Sequence, residues 1–371
     1  WKVSCLALVI SLVSVTGSAV ANGCRAVFDT PPAPINACAE SGRVNLDLVG
    51  DVLLHSQLQR QGMDPSRVFD RSVYSAYQMF KYHSSVIDDL KISGFDIVSM
   101  AKNHSLDLTG RSVDATIDAL KDWQMPFTGS TRPGAERSLV TMTPTSLGLL
   151  AWISCTYSTN DVRDNNVQVL MCFSRPAELL GDIRLTFAMQ GVMGIIVVPH
   201  WSDEYATRQN AQQGRLGRLL ARSGAMAIVG THPNTVQPWG IVAGQSDALV
   251  PLIHSTGNFV SGQISLVRAT GMLAWFELCY AAPAQDIAQS LTQFSGLAVA
   301  RAGCVPLRMV RQDGLRKLVT TAADGQVGDV RPAQNLMAEW VLGFDIGARL
   351  VCDDAQAAQT TIILSNWVVP L

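Results

Sequence analysis

The chain has 371 residues, of which 48% are hydrophobic and 16% are charged, and its formal net charge is −2 at pH 7. This composition is typical of a folded globular protein and excludes an extended disordered chain. Nucleic-acid binding needs clusters of Lys and Arg that neutralise phosphates, and the sequence has no such cluster. We therefore expect no nucleic-acid partner.

The first 21 residues have the features of a secretory signal peptide. A mostly apolar run from Val3 to Val15 precedes Ser18-Ala19-Val20-Ala21, which supplies small residues at the −3 and −1 positions of a cleavage site. The run is shorter than the roughly 20 residues that span a bilayer, and an uncleaved anchor is the alternative. We expect an exported protein of the periplasm or cell surface, and Gly23-Cys24 weakly resembles the lipid acceptor of a membrane-tethered lipoprotein.

Residues 22–43 are rich in Ala, Pro and Asn and predict an extended linker. The folded domain is predicted to cover residues 44–371, with its motifs in 44–262 and a β-rich part in 263–371. Strands and helices alternate in its first half, which indicates an α/β fold. In chain order, strands are predicted at 44–49, 95–100, 147–153, 194–198 and 225–229, and the helices between them lie at 84–93 and around Ile117, Ile183 and Leu216. The all-apolar run 194–198 suits a sheet that is covered on both faces.

After Pro238 the pattern changes to strands without long helices between them. Strands are predicted at 249–255, 273–280 and 305–310, a helix at 332–342 and an edge strand at 361–369. The last third of the chain is therefore predicted to be mostly sheet.

Seven cysteines follow Cys5, and they form no C-x-x-C pair, so a thiolate zinc site is not expected. In an oxidising compartment some of them would pair. Cys24 with Cys38 and Cys155 with Cys172 are the closest couples in sequence, although spacing alone does not assign connectivity. An odd number leaves at least one thiol outside a disulfide.

Four strand ends carry residues that can ligate a metal. Asp51 follows the first strand, Asn103 and His104 follow the second, and His200 and His232 end two later strands. Because the carboxyl ends of neighbouring parallel strands share one rim, residues far apart in sequence can converge in one crevice. The pattern predicts a metal centre built from the loops that follow these strands.

Other interpretations of these residues stay open at this point. Asp51 can instead cap a helix, and His104 taken alone is more often structural. Asp107 either accepts the ring proton of His104 or caps the helix near Gly110. Glu204 can orient His200 from a helical turn.

Three further residues lie near these motifs in sequence. Asn234 follows His232, and Asn258 follows another strand, where it braces loops more plausibly than it touches a ligand. His55, four residues after Asp51, either supplies an extra ligand or lies on a helix surface.

Five segments in order along residues 44–262 carry a family resemblance. They are Gly50-Asp51-Val52, the stretch from Phe95 through Lys102-Asn103-His104 to Asp107, His200-Trp201-Ser202-Asp203-Glu204-Tyr205, Gly230-Thr231-His232-Pro233, and Gly257-Asn258-Phe259. Together they resemble the CapA family of poly-gamma-glutamate capsule synthesis proteins. The resemblance implies a calcineurin-like metallophosphoesterase fold, which is a four-layer α/β/β/α sandwich.

The resemblance also implies roles for individual residues. Asp51, Asn103, His200 and His232 would bind one or two divalent ions, and His104 would be catalytic or would stabilise an anion. Mixed oxygen and nitrogen donors suit Mn, Fe or Zn. Asp107 and Glu204 are the other candidate catalytic groups.

The sequence departs from the family pattern at three places. The family has Asn at the position of Lys102, Gly at that of Ser202, and His-His-Pro-His where this chain has Thr231-His232-Pro233-Asn234. Lys102 adds a positive charge that either weakens metal binding or helps to bind an anion.

Two functions therefore compete. The first is a metal-dependent hydrolase that cleaves a phosphoester or a linkage of an anionic cell-surface polymer. The second is a non-catalytic component that binds the polymer through a degenerate metal site, with membrane-associated capsule synthesis proteins as partners.

Overall fold

The structure is a computed structural model. It describes residues 5–6, 11–17, 24–27, 34–61, 79–134, 139–245, 248–281, 296–312, 314–320 and 349–352. The predicted helix at 332–342 and the predicted strand at 361–369 lie outside the described residues.

The first large sheet has six strands. They are β8 (Val140–Thr145), β9 (Gly148–Thr156), β10 (Val192–His200), β11 (Ala227–Val229), β12 (Val236–Ala243) and β13 (Leu249–Thr256). Their order is β12-β13-β11-β10-β9-β8, in which the four central strands are parallel and the two outer strands are antiparallel to their neighbours. The carboxyl ends of the central strands therefore lie along one rim.

The second large sheet has eight strands. They are β2 (Ser11–Gly17), β4 (Cys38–Leu53), β6 (Ile97–Ser99), β7 (Phe127–Thr128), β14 (Asn258–Ser261), β15 (Thr270–Ala281), β16 (Leu297–Gln312) and β17 (Leu315–Thr320). The order is β17-β16-β15-β4-β2-β6-β7, and β14 pairs in parallel with the end of β4. Strand β2 is antiparallel to both β4 and β6, so β4 and β6 run in the same direction.

Two small sheets and six helices complete the described elements. Strand β1 (Cys5–Leu6) pairs with β5 (Tyr82–His83), and β3 (Cys24–Val27) pairs with β18 (Arg349–Cys352). The helices are α1 (Ser56–Gln61), α2 (Ser85–Ile92), α3 (Gly110–Asp122), α4 (Pro176–Phe187), α5 (Ala211–Arg222) and α6 (Leu266–Ala269). No helix in the described ranges combines the length and the apolar character needed to cross a bilayer.

Three apolar cores separate the layers. Strand β10 shows why, because its alternate side chains point to opposite faces. Ile196 and Val198 pack in a core between the two sheets, together with residues of β4 and β15. Ile195 and Val197 pack in a second core against α4 and α5.

A third core joins the other face of the eight-stranded sheet to helices α2 and α3, with Ile87 and Ile117 among its members. The layers are thus helix, sheet, sheet and helix. This arrangement confirms the predicted four-layer α/β/β/α sandwich.

Most predicted elements are present with shifted ends. Strand β4 begins at Cys38, six residues before the predicted domain start, so part of the predicted linker is strand. Strand β2 lies within the predicted signal peptide and pairs with β4 and β6. Cleavage of the signal peptide stays a prediction.

Two disulfides are described. Cys155 bonds to Cys172, as their spacing suggested. Cys38 bonds to Cys279 and not to Cys24, because β4 and β15 are adjacent antiparallel strands that bring these residues together. Cys304 is buried as a thiol between the sheets.

Candidate functional site

A cavity of about 300 Å³ opens at the rim where the two sheets meet. It is lined by Asp51, Leu53, His55, Phe80, Asn103, His104, His200, Glu204, Tyr205, His232, Asn234 and Gln263. Asp51 lies on β4 of the eight-stranded sheet and His200 ends β10 of the six-stranded sheet. The structure therefore brings all four predicted ligands, Asp51, Asn103, His200 and His232, to one crevice, as the strand order predicts.

A buried ion pair lies beneath this cavity. Lys102 Nζ lies 2.9 Å from Asp51 Oδ1, and each side chain is only 1% exposed. Asp51 Oδ2 accepts a hydrogen bond from the backbone N–H of His232 at 3.2 Å. Burial lowers the pKa of Lys102, and the Asp51 carboxylate opposes this shift. Both carboxylate oxygens of Asp51 are thus bonded within the protein.

The ammonium group of Lys102 also begins a chain of hydrogen bonds. Its Nζ donates to Thr231 Oγ1 at 3.0 Å, and Thr231 Oγ1 lies 2.9 Å from His200 Nδ1. An amide oxygen only accepts, so the contact between His200 Nε2 and Asn103 Oδ1 at 2.9 Å places the ring proton on Nε2. In the neutral ring Nδ1 then accepts from the hydroxyl of Thr231, whose oxygen accepts from Lys102. Burial lowers the pKa of His200 well below its usual value, in agreement with a neutral ring.

His104 and Asp107 form a second group at the cavity wall. His104 Nδ1 lies 2.9 Å from Asp107 Oδ2, and the Phe80 ring contacts the imidazole edge-on at 4.8 Å between centroids. Asp107 Oδ2 also accepts from the backbone N–H of Phe80. Thr109, and not Asp107, is the N-cap of α3, so the role of partner to His104 is the observed one. This arrangement leaves His104 Nε2 for a bound molecule.

The imidazole of His232 forms part of the cavity wall. Its Nε2 is buried, and no described residue forms a hydrogen bond with it. The ring lies against Tyr157 and His200, with centroid distances of 4.4 and 4.7 Å. Burial lowers its pKa to about 3, so the imidazole is neutral at pH 7. Its backbone φ of 97° is unfavourable for a residue with a Cβ atom, and such strain is found at binding sites.

Glu204 does not contact His200, in contrast to the interpretation that it orients that ring. Its Oε1 accepts from Asn234 Nδ2 at 3.0 Å. The residues after β10 form no helical turn that would return Glu204 to His200. Thr231 and Asn103 orient His200 instead.

His55 lines the cavity and precedes helix α1, so it is not on a helix surface. Its Nδ1 accepts from the backbone N–H of Gly262 at 2.9 Å. Asn258 Nδ2 donates to the carbonyl oxygens of Asn234 and Arg268, which agrees with a role in bracing loops.

The donor atoms do not fit a metal ion as the structure arranges them. A metal-binding imidazole must offer a lone pair, but both ring nitrogens of His200 are used in hydrogen bonds. Asp51 is neutralised by Lys102. A divalent ion on the same carboxylate would be repelled by the Lys102 ammonium by an energy on the order of 8 kcal/mol. This follows because two unit charges about 4 Å apart interact by about 4 kcal/mol near a protein surface, and the ion carries two charges. Within the described residues, no group of three or more His, Cys, Asp or Glu side chains is placed to hold a metal. The Mn, Fe or Zn cofactor stays a prediction from the resemblance.

The sequence interpretation missed Asn160. Its Oδ1 accepts from Asn103 Nδ2 at 3.0 Å, and its Nδ2 lies 3.2 Å from His104 Nδ1. Asn160 follows β9, whose end lies on the same rim as those of β10 and β11. The rule that polar residues after strand ends converge would have found it.

Comparison with known proteins identifies relatives of the chain. A family model described as "Bacterial capsule synthesis protein PGA_cap" matches residues 67–263. The "Capsule biosynthesis protein CapA" of Bacillus anthracis is 24% identical over 183 residues, which are 47% of this chain and 42% of that protein. The "PGA biosynthesis protein CapA" of Bacillus subtilis (strain 168) is 35% identical over 69 residues, which are 19% of this chain and 17% of that protein. The matches span less than half the length of either relative.

Two solved structures were also found as similar. The Haemophilus influenzae NAD nucleotidase aligns with 97% of this chain and 60% of its own chain, at 9% identity and a TM-score of 0.42. A hypothetical protein from Thermus thermophilus aligns with 58% of this chain and 79% of its own chain, at 15% identity and a TM-score of 0.32.

Proposed function

Because the chain belongs to the family of bacterial capsule synthesis proteins described as PGA_cap, we propose that it acts in the synthesis or export of an anionic capsule polymer. The name of the Bacillus subtilis relative refers to PGA, and poly-gamma-glutamate is the polymer that we propose for this chain. We further propose that the rim cavity binds a segment of that polymer. The single observation that carries this proposal is the buried Nε2 atom of His232 in the cavity wall, which has no hydrogen-bond partner among the described residues.

The cavity wall matches the chemistry of a γ-linked glutamate chain. Each unit of such a chain offers a carboxylate, a carbonyl oxygen and an amide N–H. The neutral imidazole of His232 can donate to the oxygens, and His104 Nε2 and the Glu204 carboxylate can accept from the N–H. The Arg268 guanidinium lies 3.8 Å from the centre of the Tyr205 ring at the cavity edge, where it adds a positive charge.

A binding measurement tests this role. Purified full-length protein is titrated calorimetrically with γ-linked glutamate oligomers in buffer containing EDTA. We expect binding by the wild type and by His83→Asn, which changes a histidine outside the lining of the cavity. We expect about tenfold weaker binding by His104→Asn, because one hydrogen bond between the cavity wall and the polymer is lost. Equal binding by all three variants, or no binding by the wild type, would contradict the proposal.

A second candidate function is cleavage or transfer of the polymer. The observation that favours it is the contact between His104 Nδ1 and Asp107, because a carboxylate that holds Nδ1–H leaves Nε2 as a general base toward the cavity. In this scheme His104 takes a proton from the attacking nucleophile and returns it to the leaving amine. Mass spectrometry of γ-glutamyl oligomers incubated with wild type and His104→Ala would reveal shortened chains only with the wild type.

Export to the periplasm or cell surface remains part of the proposal, together with contacts to membrane-associated capsule synthesis proteins. The apolar run and the small residues before position 22 support export. Cell fractionation and the mass of the mature N-terminus test it. Intact protein retained in the cytosol would contradict it.

A further inference from the structure

We propose that the ammonium group of Lys102 is a built-in cation that takes the place of a metal ion, so that the site is assembled without one. This inference concerns how the site is held together and does not depend on which polymer is bound. Its basis is the set of contacts that Lys102 makes among three strand ends.

Lys102 joins both sheets at the rim. It follows β6, its Nζ reaches Asp51 on β4 in the same sheet, and it also donates to Thr231 after β11 in the opposite sheet. One positive centre therefore ties together three loops from two layers. A metal ion bound between strand-end loops would serve the same purpose, through lone pairs of carboxylate, amide and imidazole groups.

The neighbouring groups are protonated in agreement with a cation at Lys102. His200 Nε2–H donates to Asn103 Oδ1, so Nδ1 of the neutral ring accepts from the Thr231 hydroxyl, and the Thr231 oxygen accepts from Nζ of Lys102. A metal ion would need the lone pair at Nε2 that this chain of hydrogen bonds replaces with a proton. The ammonium and a metal ion are therefore alternatives for the same group of residues.

The position of Lys102 excludes direct contact with a molecule in the cavity. Its side chain is 1% exposed, and Lys102 is absent from the cavity lining, whereas Asp51 and His200 are part of it. Of the two roles expected from the sequence, the structure favours loss of metal affinity over direct recognition of an anion. The positive charge is used to neutralise Asp51.

The test compares metal binding by the full-length wild type and by Lys102→Asn. Each protein is treated with EDTA, dialysed against Mn²⁺ or Zn²⁺, and examined by elemental analysis and thermal unfolding. We expect the wild type to retain no stoichiometric metal and to have the same Tm in EDTA and in metal. We expect Lys102→Asn to have a lower Tm in EDTA, to bind metal at least about tenfold more tightly than the wild type, and to regain Tm with metal.

Two further variants control for a general effect of removing a lysine and for failure of Lys102→Asn to fold. Lys121→Asn removes an exposed lysine on α3 and should behave like the wild type. If Lys102→Asn does not fold, the pair Asp51→Asn with Lys102→Met removes both charges, and it should fold without metal and bind none.

Stoichiometric metal in the wild type that Asp51→Asn abolishes would overturn the inference. A folded Lys102→Asn protein with unchanged Tm and no gain in metal affinity would overturn it as well. None of these measurements includes polymer, so failure of the capsule proposal would leave their outcome unchanged.

Discussion

The buried centre around Asp51 and Lys102 differs from the cavity wall around His104 and His232 in how its polar atoms are bonded. In the buried centre, both oxygens of Asp51 have partners within the protein. In the wall, His232 Nε2 has no protein partner among the described residues. The carboxylate of the buried centre thus has its hydrogen-bond partners within the protein, whereas the wall keeps hydrogen-bonding capacity for another molecule.

This difference separates stability from binding. Removing one partner of a buried charge pair leaves the other charge unpaired in the protein interior, where ions are poorly solvated. This destabilises the fold. Replacing a wall histidine by a polar residue mainly takes away a contact to the ligand. Substitutions in the two regions should therefore affect different measurements.

The largest effect is expected from breaking the buried ion pair. Asp51→Ala should lower the free energy of unfolding by about 3 to 5 kcal/mol, because it leaves the Lys102 ammonium buried without its counter-charge. Urea denaturation at pH 7.5 measures this loss. The double variant Asp51→Asn with Lys102→Met should lose much less than the sum of its single variants, which would show that the two charges are coupled.

A surface ion pair provides the control for this experiment. Asp118 pairs with Arg132, and their side chains are 60% and 36% exposed. Asp118→Ala should cost less than about 1 kcal/mol, since exposed pairs contribute little. A cost for Asp51→Ala as small as that for Asp118→Ala would contradict the difference between the two regions.

A smaller loss is expected for Asp107, which belongs to the wall but is itself nearly buried, with 4% of its side chain exposed. Asp107→Asn weakens its bonds to His104 and to the backbone N–H of Phe80, which should cost about 2 kcal/mol of stability. It should also weaken binding of γ-glutamyl oligomers about as much as His104→Asn does, because it orients that ring. Unchanged affinity would show that Asp107 serves only the fold.

The pH dependence of stability tests the neutral histidines. The pKa of His232 is lowered from 6.5 to about 3 in the folded state. Between these values the unfolded chain binds a proton that the folded chain does not, so stability falls as the pH falls below 6.5. At pH 5.5 this contribution is about 1 kcal/mol for His232.

Other titratable groups make the fold more stable as the pH falls, so the experiment must isolate the contribution of His232. Burial raises the pKa of Asp89 to about 6, so this carboxyl makes the fold less stable as the pH rises from 3.8 to 6. The contribution of His232 is therefore measured as a difference between wild type and His232→Gln, from urea denaturation at pH 7.5 and 5.5. The variant should lose about 1 kcal/mol less than wild type on acidification, and His83→Gln should behave like wild type. An identical loss in all three proteins would contradict a buried neutral His232.

The sequence predicts much of the fold because periodicity and strand ends are local signals. The alternation of strands and helices indicated an α/β fold, whereas the four layers were implied by the family resemblance. The rule that parallel strand ends share a rim correctly grouped Asp51, Asn103, His200 and His232. The disulfide partner of Cys38 could not be predicted, since Cys279 is 241 residues away and meets it only through strand pairing.

Whether the predicted ligands are arranged to hold a metal ion could not be read from the sequence, for a different reason. Ligand types can be counted in a sequence, but the direction of each hydrogen bond cannot. Lys102 was recognised as a departure from the family pattern, yet only its contacts to Asp51 and Thr231 show that a cation is already present.

The smallest effect is expected at Asn160, which connects the two regions. It accepts from Asn103, a member of the buried hydrogen-bond chain, and contacts His104 in the wall. Because Asn160 is exposed, Asn160→Ala should cost less than about 1 kcal/mol of stability. It should still weaken γ-glutamyl binding, because His104 loses a contact that limits its orientation. A double-variant cycle of Asn160→Ala with His104→Asn, followed by calorimetry, measures their coupling. Additive effects would show that Asn160 acts on binding independently of His104.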